Sequence, residues 1–306
     1  MWPNFSFPLF FDSTQEVPPL YHYTSQAGLL GMVQGKHLWL THIHYMNDSS
    51  EYDDAIEFIS KVLKEDYGIE DAEHQLTYET QELDKGNVYS FSLSEEEDLL
   101  SQWRGYTPNG GYCLSFDSAQ LTQMMQSQGL RIGKCLYDEK EKRDVIHKHI
   151  AGIPPEQYKS SYHIGPSREP RGDTPEEKAL DAINIEREVE LSSQHKRERD
   201  KYDYNMEIFE RARIYAPLFK HEKFSEEKEW RIIAVKRELP ELREGKSFLV
   251  PYLKIPIVED LKKDALHKVK IIVGPGPHME LARRACELLD ILSKDITISK
   301  IPFRNW

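Results

Sequence analysis

The chain has 306 residues, of which 39% are hydrophobic, enough to bury a core in one large domain or two small ones. Its 40 basic residues face 52 acidic ones, and the resulting net charge of −12 repels polyanions, which disfavours nonspecific nucleic-acid or anionic-membrane binding. Cys113, Cys135 and Cys286 are odd in number and show no C-x-x-C spacing, so they read as reduced core thiols, not as a disulfide or zinc framework.

Residues 1–11 are aromatic but carry Pro3, Pro8 and no basic residue, unlike a signal peptide, and no apolar run reaches membrane-spanning length. The expectation is a soluble, cytoplasmic protein. Pro18-Pro19 releases a strand at 20–24, in which His22 and Thr24 share one face and Tyr21 and Tyr23 the other. Ser25 caps a short helix that buries Leu29, Leu30 and Val33 and ends at Gly35. A second strand covers 37–43. Asp48 and Glu51 have capping-box spacing, and Tyr52, Ala55, Ile56, Ile59, Val62 and Leu63 form the apolar stripe of a long helix. Residues 70–85 are polar and weakly helical.

Residues 88–93 alternate, with Ser90 and Ser92 on one face and Tyr89, Phe91 and Leu93 on the other. Ser94 and Glu97 repeat the capping-box spacing and predict a helix that buries Leu99, Leu100 and Trp103 and stops near Gly105. Asn109-Gly110-Gly111 then turns into a strand at 112–116. A helix with Leu121, Met124 and Met125 ends at Gly129, and a strand follows at 132–137. Residues 138–152 are charged and helical, 154–173 read as a loop, and 175–219 are mostly helical, with a solvated charge run at 195–201. A strand over 224–235 projects Glu227, Glu229 and Arg231 to one side. Short strands at 248–257 and 269–273, a helix through Leu281, Leu288 and Leu292, and a closing strand at 296–301 complete the pattern. It fits one α+β domain spanning 1–306, with a mainly helical insertion at about 138–220.

Three strands therefore carry polar residues at i, i+2: His22/Thr24, Ser90/Ser92 and Glu227/Glu229. Such faces either meet solvent or line a cleft, because burying them unpaired is costly. In Gln102-Trp103-Arg104-Gly105-Tyr106 a guanidinium sits between two aromatic rings, a grouping suited to a planar, phosphate-bearing ligand. A core Trp beside an Arg paired to the acidic run accounts for the same residues. His42 and His44, with Asp48 nearby, form a possible metal pair, but no second cluster at ligand spacing supports it and no metal is expected.

The ordered set LYHYTS (20–25), Met46-Asn47-Asp48, the SFSLSEEEDLLSQWRGY run, EEKEWR (226–231) and the ending at 298–304 resembles the domain of unknown function 2971 family. That family in turn resembles the ADP-ribosyltransferase superfamily. The resemblance implies a split β-sheet core with flanking helices, gripping NAD as co-substrate in an extended cleft. It places His22 on the first strand, Ser90 and Ser92 on a central one, and Glu229 on a later one. By the same resemblance Glu229 stabilises the cation that forms as the nicotinamide–ribose bond breaks, and Glu227 orients the acceptor or takes its proton. His22 holds a ribose hydroxyl, Thr24 meets the adenosine side, Tyr23 or Tyr106 stacks on nicotinamide, and Arg104 meets the pyrophosphate, with Trp103 beside it in the cofactor-binding set. The Glu227-Lys228-Glu229 spacing resembles enzymes that modify arginine, whereas His22 resembles DNA-targeting toxins or the His-Tyr-Glu group. The acceptor therefore stays open between protein and nucleic acid. A bacterial toxin, defence effector or modification enzyme is the implied role, and an inert nucleotide-binding or interaction module on the same fold is the rival.

Overall fold

Alternating apolar and polar residues build the centre of the molecule. The computed structural model describes residues 17–47, 50–81, 87–107, 110–154, 168–236, 239–245, 247–257, 269–289 and 295–302. Among them, one mixed sheet is formed by β1 (Leu20–Thr24), β2 (His37–His42), β3 (Asn87–Ser94), β4 (Tyr112–Phe116), β5 (Arg131–Lys134), β6 (Glu229–Lys236), β7 (Glu241–Glu244), β8 (Leu249–Pro256), β9 (Lys270–Val273) and β10 (Asp295–Ile298). The main path runs β10-β9-β4-β1-β3-β2-β8-β7, with β6 paired to β3 and β5 paired to β6. β9 and β10 run parallel, and the other described pairs are antiparallel.

β3 is the hub of this sheet. Along one edge it pairs with β6 from Asn87↔Lys236 to Ser94↔Glu229. Its other edge is shared: Ser94 pairs with Tyr21 of β1, whereas Ser90 and Tyr89 pair with Thr41 and His42 of β2. Residues 91–93 lie between those contacts and have no described strand partner on that edge. β1 and β2 thus diverge from a common neighbour and leave a gap over the middle of β3.

The described α-helices are α1 (Gln26–Gly35), α2 (Ser50–Tyr67), α3 (Ala72–Gln81), α4 (Leu100–Tyr106), α5 (Ser118–Ser127), α6 (Glu139–Val145), α7 (Pro175–Tyr215) and α8 (Met279–Cys286). One face of the sheet, carrying Leu20, Leu40, Phe91, Leu114 and Ile232, packs against Leu29, Met32 and Val33 of α1 and Leu121, Met124 and Met125 of α5. The opposite face is covered in two separate places. Val88 and Ile233 join the apolar stripes of α2 and α3 and the end of α7. Tyr23, Cys113 and Ile272 pack with Trp103 of α4. The polar side chains of β3 and β6 lie on that second face.

The stripe of α2 is buried as its spacing predicts, although Asp48, its expected cap, lies outside the described residues. α7 begins with a capping box, Thr174 with Glu177, and Pro175 occupies the first turn, where its missing N–H costs nothing. Its burial is concentrated at residues 207–215, and Leu180, Ile183, Leu191 and Tyr202 stay exposed. Cys113, Cys135 and Cys286 are free and buried, as their spacing suggests. Among the described residues no helix is long and apolar enough to cross a membrane.

Three local readings are corrected. The helix after β3 starts at Leu100, with no side-chain cap, because Ser94 is still the last residue of the strand. The Ser94 hydroxyl donates to the Glu227 carbonyl at 2.7 Å and accepts from the Glu96 amide at 3.0 Å, so it braces a turn and caps no helix. The strand expected at 224–235 begins only at Glu229. Residues Glu222–Glu227 form a 3-10 helix that Lys228 closes in the left-handed region, at φ 41. Glu227 is therefore not on the strand face. The edge strand β7 was not expected at all, since its Glu-Leu-Arg-Glu sequence is charged and only one of its side chains is apolar.

Candidate functional site

The gap between β1 and β2 is a cleft of about 250 Å³ that carries His22 and Thr24 from β1, Thr41 from β2, Ser90 and Ser92 from β3, and Tyr106 from α4. A smaller lobe shares His22, Tyr23, Ser92 and Tyr106 and adds Glu229. Strands far apart in sequence thus deliver their polar residues to one place. α1 can lie against this wall because it presents glycines there. A Cβ at Gly28 would sit 2.1 Å from Thr24 Oγ1, and one at Gly31 would sit 2.2 Å from the Trp39 ring.

His22 occupies the place where a strand neighbour of β3 is missing. Its Nδ1 lies 2.8 Å from the Ser92 carbonyl and its ring stacks on Phe91 at 4.0 Å. A carbonyl only accepts, so Nδ1 carries the proton and Nε2 is left as an acceptor. Burial pushes the imidazole pKa down to about 4, against the carbonyl bond that raises it, so the ring is neutral at physiological pH. A neutral acceptor of this kind suits a sugar hydroxyl.

Glu229 is held in a buried network of three carboxylates and two cations. Its Oε2 is 2.5 Å from Lys220 Nζ and its Oε1 is 2.7 Å from Arg231 Nε. Arg231 also reaches Glu51 at 2.5 Å and the Pro217 carbonyl at 2.6 Å, while Lys220 binds Glu227 at 2.7 Å. Burial alone raises the Glu229 pKa, but the charges of Arg231 and Lys220 outweigh it and hold the carboxyl at about 2. Burial raises the pKa of Glu227, with Lys220 pulling the other way. The two acids, two residues apart, are thus pushed in opposite directions, one fixed as an anion and the other more readily protonated.

The aromatic residues divide. Tyr106 lines both lobes, and burial and the Glu229 charge raise its phenol pKa. Tyr23 is among the residues lining both lobes, but its hydroxyl donates to the Glu96 carbonyl at 2.7 Å and accepts from the Leu99 amide at 2.9 Å. Trp103 is buried, meets Tyr23 edge-to-face at 4.7 Å and donates to Asp98 at 2.7 Å. It lines neither lobe, and Arg104 beside it is exposed and lines neither. The grouping that suggested a phosphate clamp is a core Trp with an Arg on the solvent side. Trp103→Phe is expected to lose one part-buried hydrogen bond and cost about 1–2 kcal/mol in urea unfolding.

Residues 102–163 match the family model described as protein of unknown function (DUF2971). That span starts within the QWRGY run, one of the segments that carried the resemblance. No curated protein and no solved structure matches the chain. The matched segment holds most of α4 with β4, α5, β5 and α6, and it gives the two lobes Gln102, Gly105 and Tyr106. His22, Ser90, Ser92 and Glu229 lie outside it.

Sequence reasoning missed Glu51 and Lys220, which fix Glu229 and Arg231, and Arg243, which lines the cleft from β7. In the sequence Glu51 reads as a capping residue, because its long-range partners leave no local signal. Glu227 lines neither lobe; its carboxylate faces Lys220. His42 Nε2 lies 3.2 Å from Asn87 Oδ1, and His44 sits in a 3-10 turn 3.9 Å from Asp53, so the two imidazoles are engaged separately. No cluster of three or more potential metal-ligating side chains occurs among the described residues.

Proposed function

We propose that this protein is an NAD-dependent ADP-ribosyltransferase-like enzyme that cleaves the nicotinamide–ribose bond and transfers ADP-ribose to a protein or nucleic-acid acceptor. The observation that supports the reading most directly is the meeting of His22, Ser92, Tyr106 and Glu229 around one lobe of the divided sheet. In this scheme the glycosidic C–N bond breaks with its electron pair going to the nicotinamide nitrogen, which neutralises the pyridinium. The acceptor's lone pair forms the new bond at the same ribose carbon, and the acceptor's proton is released.

Positive charge gathers on the ribose as the bond stretches, and a fixed anion beside it stabilises the transition state more than the ground state. Glu229 suits that role, because a carboxyl held at about 2 is ionised throughout the physiological range. It is poorly suited to proton transfer for the same reason. His22 Nε2 accepts a ribose hydroxyl and orients the sugar. Tyr106 is the aromatic face for the nicotinamide ring. Glu227 has no place on the cleft wall, so deprotonation of the acceptor is not assigned to it.

Incubation of the full chain with NAD labelled in the nicotinamide, together with lysate protein or nucleic acid, tests the reading. Release of nicotinamide with transfer of label from an adenine-labelled NAD to a macromolecule is the expected result. Absence of both overturns it. One observation favours a second reading, an inert ligand-binding module: both Glu229 oxygens are already taken by Lys220 and Arg231. That reading expects NAD or ADP-ribose to bind with no nicotinamide released.

A further inference from the structure

The larger lobe of the cleft carries unmet polar capacity that the scheme above does not use. Arg243 leaves β7, crosses β8 and donates from Nη2 to Thr41 Oγ1 on β2 at 2.8 Å. Its guanidinium is 5.9 Å from the ring centres of both Trp39 and Tyr252, an aromatic support that limits its motion. The neighbouring acid Glu241 is occupied by Lys254 at 2.6 Å, and Arg243 makes no ion pair among the described residues. No carboxylate and no other Lys or Arg is among the described residues lining the larger lobe. Arg243 Nε, Ser90 Oγ and Ser92 Oγ are buried without a hydrogen-bond partner, and all three residues line it. Buried polar groups normally find a partner in protein, water or ligand, so these three beside one cavity leave hydrogen-bonding capacity that an oxygen-rich group can meet.

We infer that Arg243, with Thr41, Ser90 and Ser92, forms the phosphate-binding end of the cleft and takes the diphosphate of a nucleotide. The inference rests on the transferase reading for the identity of the whole ligand, but the diphosphate site stands or falls separately. A guanidinium binds phosphate oxygens through two N–H groups at once, and serine hydroxyls complete the remaining oxygens. The charges also sort along the cleft. The cation Arg243 lies in the larger lobe and the anion Glu229 in the smaller one. On β3, Ser90 pairs with Thr41 and Ser94 pairs with Glu229, four residues apart, or about 13 Å at strand rise. A ligand anionic at one end and cationic at the other matches that polarity, as a dinucleotide with a pyridinium ring does.

Calorimetric titration of the full chain with ADP, adenosine and inorganic pyrophosphate tests this, using wild type, Arg243→Ala and Arg243→Lys. Wild type is expected to bind ADP at least about ten-fold more tightly than adenosine, Arg243→Ala to lose that advantage, and Arg243→Lys to recover part of it. Adenosine affinity should be the same in all three proteins, which also shows that the variants are folded. Equal binding of ADP and adenosine by wild type, or ADP binding unaffected in Arg243→Ala, overturns the site. Inorganic pyrophosphate binding as tightly as ADP overturns its assignment to a nucleotide. If ADP requires Arg243 but NAD is never cleaved, the diphosphate site stands and the transferase reading falls. If NAD is cleaved with an unchanged KM in Arg243→Ala, the reverse holds.

Discussion

Glu229→Gln is expected to slow nicotinamide release from NAD by about 100- to 1000-fold, with the loss in kcat and little change in KM. The substitution keeps the size of the side chain and removes only its charge. The surrounding network holds Glu51, Glu227 and Glu229 against Lys220 and Arg231, so removing one anion leaves two of each sign. The remaining cost is steric and directional, since the new amide N–H₂ faces a cation that also donates. That mismatch should lower stability by about 1–3 kcal/mol, much less than an unbalanced charge would. Rates are to be compared at a temperature where urea unfolding shows both proteins folded. A folded Glu229→Gln that retains wild-type kcat removes Glu229 from the chemistry.

The second large effect is on stability. Arg231→Met strands Glu229 and Glu51 beside Lys220 alone, and breaking a buried ion pair from one side costs about 3–5 kcal/mol. The same change should reshape the pH dependence of unfolding. The Glu229 carboxyl lies near 4.5 when free and at about 2 in the fold, a difference worth roughly 3 kcal/mol. A depressed carboxyl pKa stabilises the fold at pH values above the unfolded value, and that contribution is lost as pH falls from about 4.5 toward 2. Loss of Arg231 removes part of the contribution at neutral pH. The stability difference between wild type and variant is therefore expected to narrow across that window. Parallel unfolding curves at constant separation from pH 7 to pH 2 would show that Arg231 is not what holds Glu229 ionised.

How far the site could be read in advance depended on whether its signals were local. Ser90 and Ser92 stood out because period-two alternation is a property of a few consecutive residues, and the stripe of α2 was legible for the same reason. The start of β6 is hidden because the charges of FSEEKEWR continue the strand's alternation. The break comes from a lysine in the left-handed region, which no neighbouring residue announces. The arginine that lines the cleft is hidden from local reading in the same way. Arg104 lies between two aromatics in sequence, whereas Arg243 reaches its aromatics and its threonine only through the pairing of β7, β8 and β2. The sharing of one β3 edge by two strands is likewise a matter of register between distant segments, and it decides that a cleft exists.

That shared edge also bears on movement. β1 and β2 are tied to each other chiefly by way of β3, and along residues 91–93 a single imidazole takes the place of a backbone ladder. Spreading or closing the two flanks therefore asks β3 to bend together with β6, its partner along its whole length, and His22 to swing with them. His22, through its bond to the Ser92 carbonyl, is the contact that ties β1 to β3 across that gap.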